Sequence, residues 1–163
     1  MQIHNLKTKA FTLIEVLVAG AIIAASIGAV IGAYTLFLKD SFQNTPNIQA
    51  TLLAEEGIEA VKTMRDSGWN ANIKNLTLGT SYYLSFNTTT NLWSSTTTSS
   101  SIDNQFVRTF TLASVNRDGN SNIASSGTLD TNTKLVTVSV SWHATSGTST
   151  KTLGTYITNL YNN

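Results

Sequence analysis

Residues 11–38 read FTLIEVLVAGAIIAASIGAVIGAYTLFL, and this run decides what kind of fold the chain can have. It contains no proline, and Glu15 is its one residue that is charged at neutral pH. As an α-helix the run would be about 42 Å long, more than the roughly 30 Å of a bilayer's hydrocarbon core. A secretory signal peptide has a shorter apolar region followed by a cleavage site. The run therefore predicts a membrane-spanning helix.

The residues on either side of the run predict its orientation. Lys7 and Lys9 precede it, with no acidic residue among the first ten positions, whereas Lys39 and Asp40 follow it. By the positive-inside rule, residues 1–10 stay in the cytoplasm and the chain from residue 39 onward lies outside it. We therefore expect a single-pass membrane protein with an extracytoplasmic C-terminal domain.

The composition separates the chain into two unlike parts and excludes several functions. Thr, Ser and Asn dominate the region beyond the apolar run. A formal charge of +1 offers no basic surface for nucleic acid, and the absence of cysteine excludes disulfides and thiol chemistry. His4 and His143 belong to no catalytic arrangement, and Glu55, Glu56 and Glu59 are typical of a solvated helix face. We expect no enzymatic activity, no metal and no cofactor.

A second helical pattern starts near Pro46 and runs to residue 67. Its apolar residues recur at spacings of three and four, which predicts one buried face. That face comprises Ala50, Leu53, Ala54, Gly57, Ile58, Val61 and Met64. Either Thr45 or Asn47 caps a separate helix, or the first helix continues through Pro46 with a kink. The predicted end is Ser67-Gly68.

Beyond Trp69 the period becomes two, which is typical of strands. In KLVTVSVSW, residues 134–142, Val136, Val138 and Val140 alternate with Thr and Ser. The predicted strands are 81–86, 106–115, 134–142 and 151–161. The predicted loops, rich in turn residues, are 87–101, with its low-complexity Thr/Ser tract at 94–101, and 116–122, 125–133 and 143–150.

These patterns together predict an α+β fold. A long N-terminal helix would pack its amphipathic half on an antiparallel β-sheet of about four strands. The predicted segments are a leader at 1–10, a transmembrane helix at 11–38, an amphipathic extracytoplasmic helix at 39–67 and a β-sheet domain at 68–163.

The N-terminal residues also resemble a known family. A short basic leader, then FTLIEVLVA with Glu15 four residues after Phe11, then a long apolar helix, is similar to the N-terminal signature of type IV pilins and type II secretion pseudopilins. The stretch LLAEEGIEAVKTMRDSGW (52–69) and the V-x-V-x-W pattern at 138–142 resemble the minor pilin and minor pseudopilin branch.

The resemblance implies that a prepilin peptidase cuts between Ala10 and Phe11 and that the new amino terminus is methylated. Family members usually have glycine where this chain has Ala10, and many major pilins have a C-terminal disulfide that a chain without cysteine lacks. The implied function is that of a structural, minor subunit of a type IV pilus or a type II secretion pseudopilus.

The resemblance also implies partners and a location. The partners are other pilin or pseudopilin subunits, prepilin peptidase, the inner-membrane assembly machinery and membrane lipid, with no nucleic acid. The protein would reside first in the inner membrane and then in a filament in the periplasm or at the cell surface.

Glu15 poses a physical question, because an ionised carboxylate in hydrocarbon costs several kcal/mol unless it is paired. No basic residue lies one helical turn away, so its partner is expected to come from elsewhere. By the resemblance, Glu15 attracts the Phe11 amine of an adjacent subunit and sets the axial register. Alternatively, Glu15 snorkels to the headgroups near the helix start. Gly28 and Gly32 form a GxxxG pair that permits close helix packing.

Two features of the β domain allow alternatives. Asp118, Asn120 and Asn122 offer oxygen ligands for calcium, but the rest of a calcium-loop pattern is missing, which favours a hairpin turn. Asn75 and Asn87 begin N-glycosylation patterns of a kind that so Asn- and Thr-rich a chain contains by chance.

The alternative function is that of a permanently anchored surface protein. Its β domain would bind a glycan or a host protein through Thr/Ser-rich loops and exposed aromatic residues such as Trp93.

Overall fold

The computed structural model of the chain describes residues 10–144 and 147–161. The predicted leader lies outside this part, except for Ala10. The chain divides into two compact units, Met1–Gln43 and Asn44–Asn163.

One helix, α1, runs from Leu13 to Ser67 without interruption and is followed by the short α2, Trp69–Asn72. Pro46 lies inside α1, so the alternative of a separate helix capped by Thr45 or Asn47 is wrong. The predicted end at Ser67 is confirmed.

All strands of the second unit belong to one antiparallel sheet. The order is β2-β1-β3-β5-β6, with β4 paired to β3, so β2 and β6 are the edges of the main sheet. The strands are β1 Tyr82–Asn87, β2 Leu92–Thr96, β3 Phe106–Arg117, β4 Ile123–Ala124, β5 Thr128–Ala144 and β6 Gly147–Thr158. The α+β class is confirmed, whereas the described part of the chain has six strands instead of the four predicted.

The additional strand β2 and the longer β5 and β6 correct three predicted loops. β2 lies inside 87–101, β5 already begins within 125–133, and β5 and β6 take up most of 143–150. The cause is the same in each case. Thr favours extended backbone, and a neighbouring strand offers hydrogen-bond partners that a local reading of turn residues does not include.

The core of the second unit lies between the C-terminal part of α1 and one face of the sheet. The predicted helix face is confirmed, because Ala50, Ala54, Ile58, Val61 and Met64 are buried. They form one cluster with alternate residues of the central strands, which are Phe106, Phe110 and Leu112 of β3 and Val136, Val138, Val140 and Trp142 of β5. The period-two pattern of 134–142 therefore points its valines into the core, as predicted.

Gly57 sets how closely α1 approaches the sheet. A Cβ atom at this position would lie 2.8 Å from Cγ1 of Val138 and 3.1 Å from Cδ of Arg108. Real side chains do not approach that closely, so any larger residue would push the helix or the sheet away. The glycine in the Glu-Gly-Ile-Glu segment is therefore a packing residue.

Candidate functional site

The N-terminal part of α1 exposes apolar side chains in every direction. Leu13, Ile14, Val16 and Leu17 are 86%, 65%, 60% and 64% exposed, although successive helical residues point about 100° apart. A helix that is apolar all round is typical of a membrane span or of the core of a large assembly. α1 is long and apolar enough to cross a membrane, and its most apolar window has no buried surface in the single chain.

The bond between Ala10 and Phe11 lies before the first helical turn. Residues 10–12 have no regular secondary structure, and α1 begins at Leu13. Ala10 is exposed and Phe11 is 84% exposed. Both sides of this peptide bond are therefore accessible and free of helical hydrogen bonding, as a protease substrate requires.

Thr12 and Glu15 bond to each other across the first turn of α1. The backbone N–H and the hydroxyl of Thr12 both donate to Oε2 of Glu15, each at 2.8 Å. In return, the backbone N–H of Glu15 donates to the Thr12 hydroxyl oxygen at 3.3 Å. This is a capping box, in which an N-cap threonine and a glutamate three residues later satisfy each other's backbone donors.

The capping box changes the interpretation of Glu15. Thr12 supplies Glu15 with two hydrogen-bond donors from the same chain, whereas the expected charge partner from elsewhere stays a prediction. The pattern T-x-x-E at the start of a helix is itself recognisable in the sequence and predicts these donors. Within the described residues, Glu15 forms no ion pair, and its Oε1 atom accepts no hydrogen bond.

Gly28 and Gly32 lie on the open surface of the same helix. A Cβ atom at either position would have no neighbouring atom within 4 Å. The nearby Ser26 and Thr35 hydroxyls donate to carbonyls of the preceding turn, the oxygens of Ile22 and Gly32, at 2.8 Å. These hydroxyls thus present no unsatisfied donor to lipid or to a neighbouring helix. Among the described residues, no other element lies against the glycine pair, which is accessible.

Trp93 is not the exposed aromatic residue that the alternative function required. It is partly buried, packs on Phe86 with ring centroids 5.0 Å apart, and has the Arg108 guanidinium 5.5 Å from its ring centroid. Arg108 in turn donates to the Leu53 carbonyl at 2.9 Å and lies 3.0 Å from Oε2 of Glu56. This cluster joins β2 and β3 to α1.

The Asp118 segment has the contacts of a tight turn. Oδ1 of Asp118 accepts the backbone N–H groups of Asn120 and Asn122 at 2.8 and 2.9 Å. Hydrogen bonding from the Asn122 backbone lowers the pKa of the Asp118 carboxyl. Asn122 directs its side-chain nitrogen, a donor, towards Asp118 at 3.4 Å. No group of three or more potential metal ligands occurs among the described His, Asp and Glu residues. These contacts favour the hairpin turn.

A second polar cluster fixes the far end of the sheet. Nε of Arg117 donates to Oδ2 of Asp130 at 2.6 Å, and its two other nitrogens donate to the Ser121 carbonyl and the Thr133 hydroxyl at 2.8 and 3.3 Å. The hydrogen bond from Arg117 lowers the pKa of Asp130. These three hydrogen-bond partners of Arg117 are acceptors from its own domain, and we interpret the cluster as structural.

The remaining predicted positions form no site. Asn75 donates its side-chain N–H to the Asn70 carbonyl, and the Asn87 side chain accepts the backbone N–H groups of Thr89 and Thr90. His143 is exposed and lies within β5, which continues to Ala144 and does not end at Trp142 as predicted.

Comparison of the chain with protein-family models, with curated proteins and with solved structures gives no match.

Proposed function

We propose that the protein is a structural, minor subunit of a type IV pilus or a type II secretion pseudopilus. One observation carries the proposal: a carboxylate, that of Glu15, is held in a defined position at the start of a helix whose apolar surface is exposed all round. Such a helix has to be covered by lipid or by other protein. The resemblance of residues 11–38 to the pilin signature favours lipid as the first covering, in the membrane, and the helices of other subunits as the second, in the filament.

In this proposal, prepilin peptidase removes residues 1–10 and leaves Phe11 as the amino terminus. The capping box involves only Thr12 and Glu15, so its hydrogen bonds do not depend on the leader. The cut therefore creates a new cation beside a carboxylate whose position is already set. A carboxylate has two oxygens and can accept about four hydrogen bonds, which leaves Oε1 for a second partner.

The second partner would be the Phe11 amine of an adjacent subunit. Pairing the two charges offsets the several kcal/mol that each costs in hydrocarbon. Because the carboxylate lies at one height on the helix, the pair would also fix the axial register of neighbouring subunits. Gly28 and Gly32 would then let adjacent helices approach closely. Membrane lipid, other subunits and an inner-membrane assembly machinery are the proposed partners.

Mass spectrometry of the mature protein tests the processing step. We expect a chain that begins with an N-methylated Phe11, produced in the inner membrane and recovered from filaments at the cell surface or in the periplasm. A mature protein that still begins with Met1 would contradict the proposal and favour the permanently anchored alternative.

Two substitutions separate the charge of Glu15 from its capping role. Glu15→Gln removes the charge, but glutamine can still take part in a capping box, whereas Glu15→Ala removes both. We expect both variants to remain in the membrane and to be missing from sheared filaments. If Glu15→Gln enters filaments as the unsubstituted protein does, the charge pair is not needed.

A further inference from the structure

The outer face of the sheet, opposite α1, carries no charge over its whole central part. This face consists of alternate positions of five strands, taken from 83–85, 94–96, 107–113, 135–141 and 150–156. Of these sixteen positions, six are Thr, four are Ser and two are Tyr, and none is Asp, Glu, Lys or Arg. None of the sixteen is buried.

The hydroxyl groups of this outer face are aligned across the strands. The register places Thr96 opposite Tyr83, Tyr83 opposite Thr109, Thr109 opposite Ser139, and Ser139 opposite Thr152. The row therefore crosses the sheet from edge to edge. Neighbouring strands lie about 4.8 Å apart and positions two residues apart on one strand about 6.8 Å apart, so further rows repeat at a regular spacing.

The outer face differs in charge from the exposed face of α1. The exposed face of α1 in the same unit carries Glu55, Glu56, Glu59, Lys62 and Asp66. Soluble proteins are commonly designed with about 25–35% charged residues at the surface, well above the charge of this face. Thr on a strand is explained by its strand propensity, and the absence of charge from sixteen positions that are exposed or half-buried is a separate feature of this face.

We propose that the outer face of the sheet binds a neutral polysaccharide. Each Ser, Thr or Tyr hydroxyl can donate one hydrogen bond and accept others, and the hydroxyls of a sugar chain have the same capacity. A neutral ligand matches a neutral surface, because a charged one would lose hydration without gaining a counter-charge. A hydrogen bond exchanged with water contributes only about 0.5–1.5 kcal/mol, so a repeating ligand that engages several rows is required.

A second protein chain fits the outer face less well. The centres of protein interfaces are enriched in Tyr, Trp, Phe, Met and Arg and depleted in Ser as well as in Lys, Glu and Asp. Besides its two tyrosines, the outer face has Val107 and Leu135 as its large apolar residues. The binding does not depend on filament assembly, because all five strands belong to one compact unit of a single chain.

The test uses the detergent-solubilised full chain and four insoluble supports. Microcrystalline cellulose, chitin and starch granules are neutral, and heparin-agarose is acidic. We expect retention on at least one neutral support and none on heparin-agarose. Retention on no neutral support, or stronger retention on heparin-agarose, would overturn the proposal.

Substitutions of both signs locate the binding. Thr109→Glu and Thr109→Lys each place a charge in the central row, and we expect both to weaken binding about tenfold, whatever the sign. Thr109→Ser keeps the hydroxyl, and we expect this variant to bind the polysaccharide as the unsubstituted protein does. Thr63→Glu and Thr63→Lys make the same changes on the exposed face of α1 and are the matched controls.

A further variant and a light-scattering measurement of self-association also test the proposal. Thr152 is exposed on the edge strand β6, where a larger side chain is easily accommodated. If Thr109→Glu does not fold, Thr152→Glu is used in its place. Binding that survives these variants would overturn the proposal. The proposal would also be overturned if the variants changed self-association, measured by light scattering, and left polysaccharide retention unchanged. A second copy of the chain would then occupy the outer face.

Discussion

Oε2 of Glu15 lies 2.8 Å from both the backbone nitrogen and the hydroxyl oxygen of Thr12. The acid therefore has a use within its own chain before any other subunit is present. A helix begins with backbone N–H groups that have no partner, and in hydrocarbon no water is available to satisfy them. The side chain of Glu15 accepts one such N–H group, that of Thr12, and also carries the negative charge on which the proposed assembly depends.

Replacing Thr12 separates helix capping from charge. Thr12→Val removes the hydroxyl and keeps Glu15 ionisable, so we expect the first turn of α1 to be weakened by about 0.5–2 kcal/mol. Amide hydrogen exchange at residues 12–15 should accelerate by about 2- to 30-fold, with Thr12→Ser unchanged as the control. Incorporation into filaments should fall less than in Glu15→Gln. Unaltered exchange in Thr12→Val would show that the capping box contributes nothing in the detergent-bound protein.

Gly57→Ala should destabilise the second unit although alanine is the better helix former. The added methyl group would lie 2.8 Å from Val138 Cγ1, and overpacking of this kind costs about 1–3 kcal/mol, more than the 0.5–1 kcal/mol gained in helix propensity. Thermal denaturation of the full chain should show a lower Tm. Gly154→Ala is the control, since its Cβ would come no closer than 3.8 Å to another atom. A higher Tm for Gly57→Ala would mean that the helix and sheet separate without cost.

Arg108 and Glu56 should respond unequally to substitution. Glu56 is 50% exposed and regains water if Arg108 is removed, whereas Arg108 is 5% exposed and would stay buried without its counter-charge. Glu56→Ala should therefore lower the free energy of unfolding by on the order of 1–3 kcal/mol. Arg108→Met, which fills a similar volume without a charge, should lower it by less. Denaturant unfolding of both variants and of the double variant gives the coupling energy. Equal losses would contradict the importance of the burial of Arg108.

The Arg117–Asp130 pair should make the fold less stable in acid. The pKa of Asp130 is lower in the folded chain than in the unfolded one, so its contribution is complete above the unfolded pKa near 4. It is lost as the pH falls from about 4 through the folded pKa, because the unfolded chain then binds the proton more readily. Asp130→Asn should flatten this part of a plot of Tm against pH. An unchanged slope in Asp130→Asn would assign the acid sensitivity to other carboxyls.

Local patterns predicted the helix and the centre of the sheet because one face of each is buried. The spacing of Ala50, Ala54 and Val61 and the alternation around Val138 are visible without any partner. β2 and the start of β5 gave no such signal, since both are rich in Thr and Ser with little apolar alternation. Their strand structure comes from pairing with β1 and β3, a long-range effect.

In the candidate site, too, contacts between residues close in sequence could be predicted, whereas contacts between distant residues could not. The position of Glu15 in an apolar run was evident from the sequence, and its contact with Thr12 spans only three residues and could have been predicted as well. The contact of Arg108 with Glu56 joins residues 52 positions apart, and no local pattern announces it. Which charge is buried with which partner is decided by how the strands are ordered.

The edge position of β6 has a consequence for handling the protein at high concentration. Among the described strands β6 pairs only with β5, so one side of a twelve-residue strand leaves its peptide groups unpaired. Lys151 is the one charged residue along it, and a long, weakly charged border of this kind is a template for extended segments of other molecules. We expect fibrillar aggregates of the concentrated protein to grow from β6 sooner than from the five-residue β2.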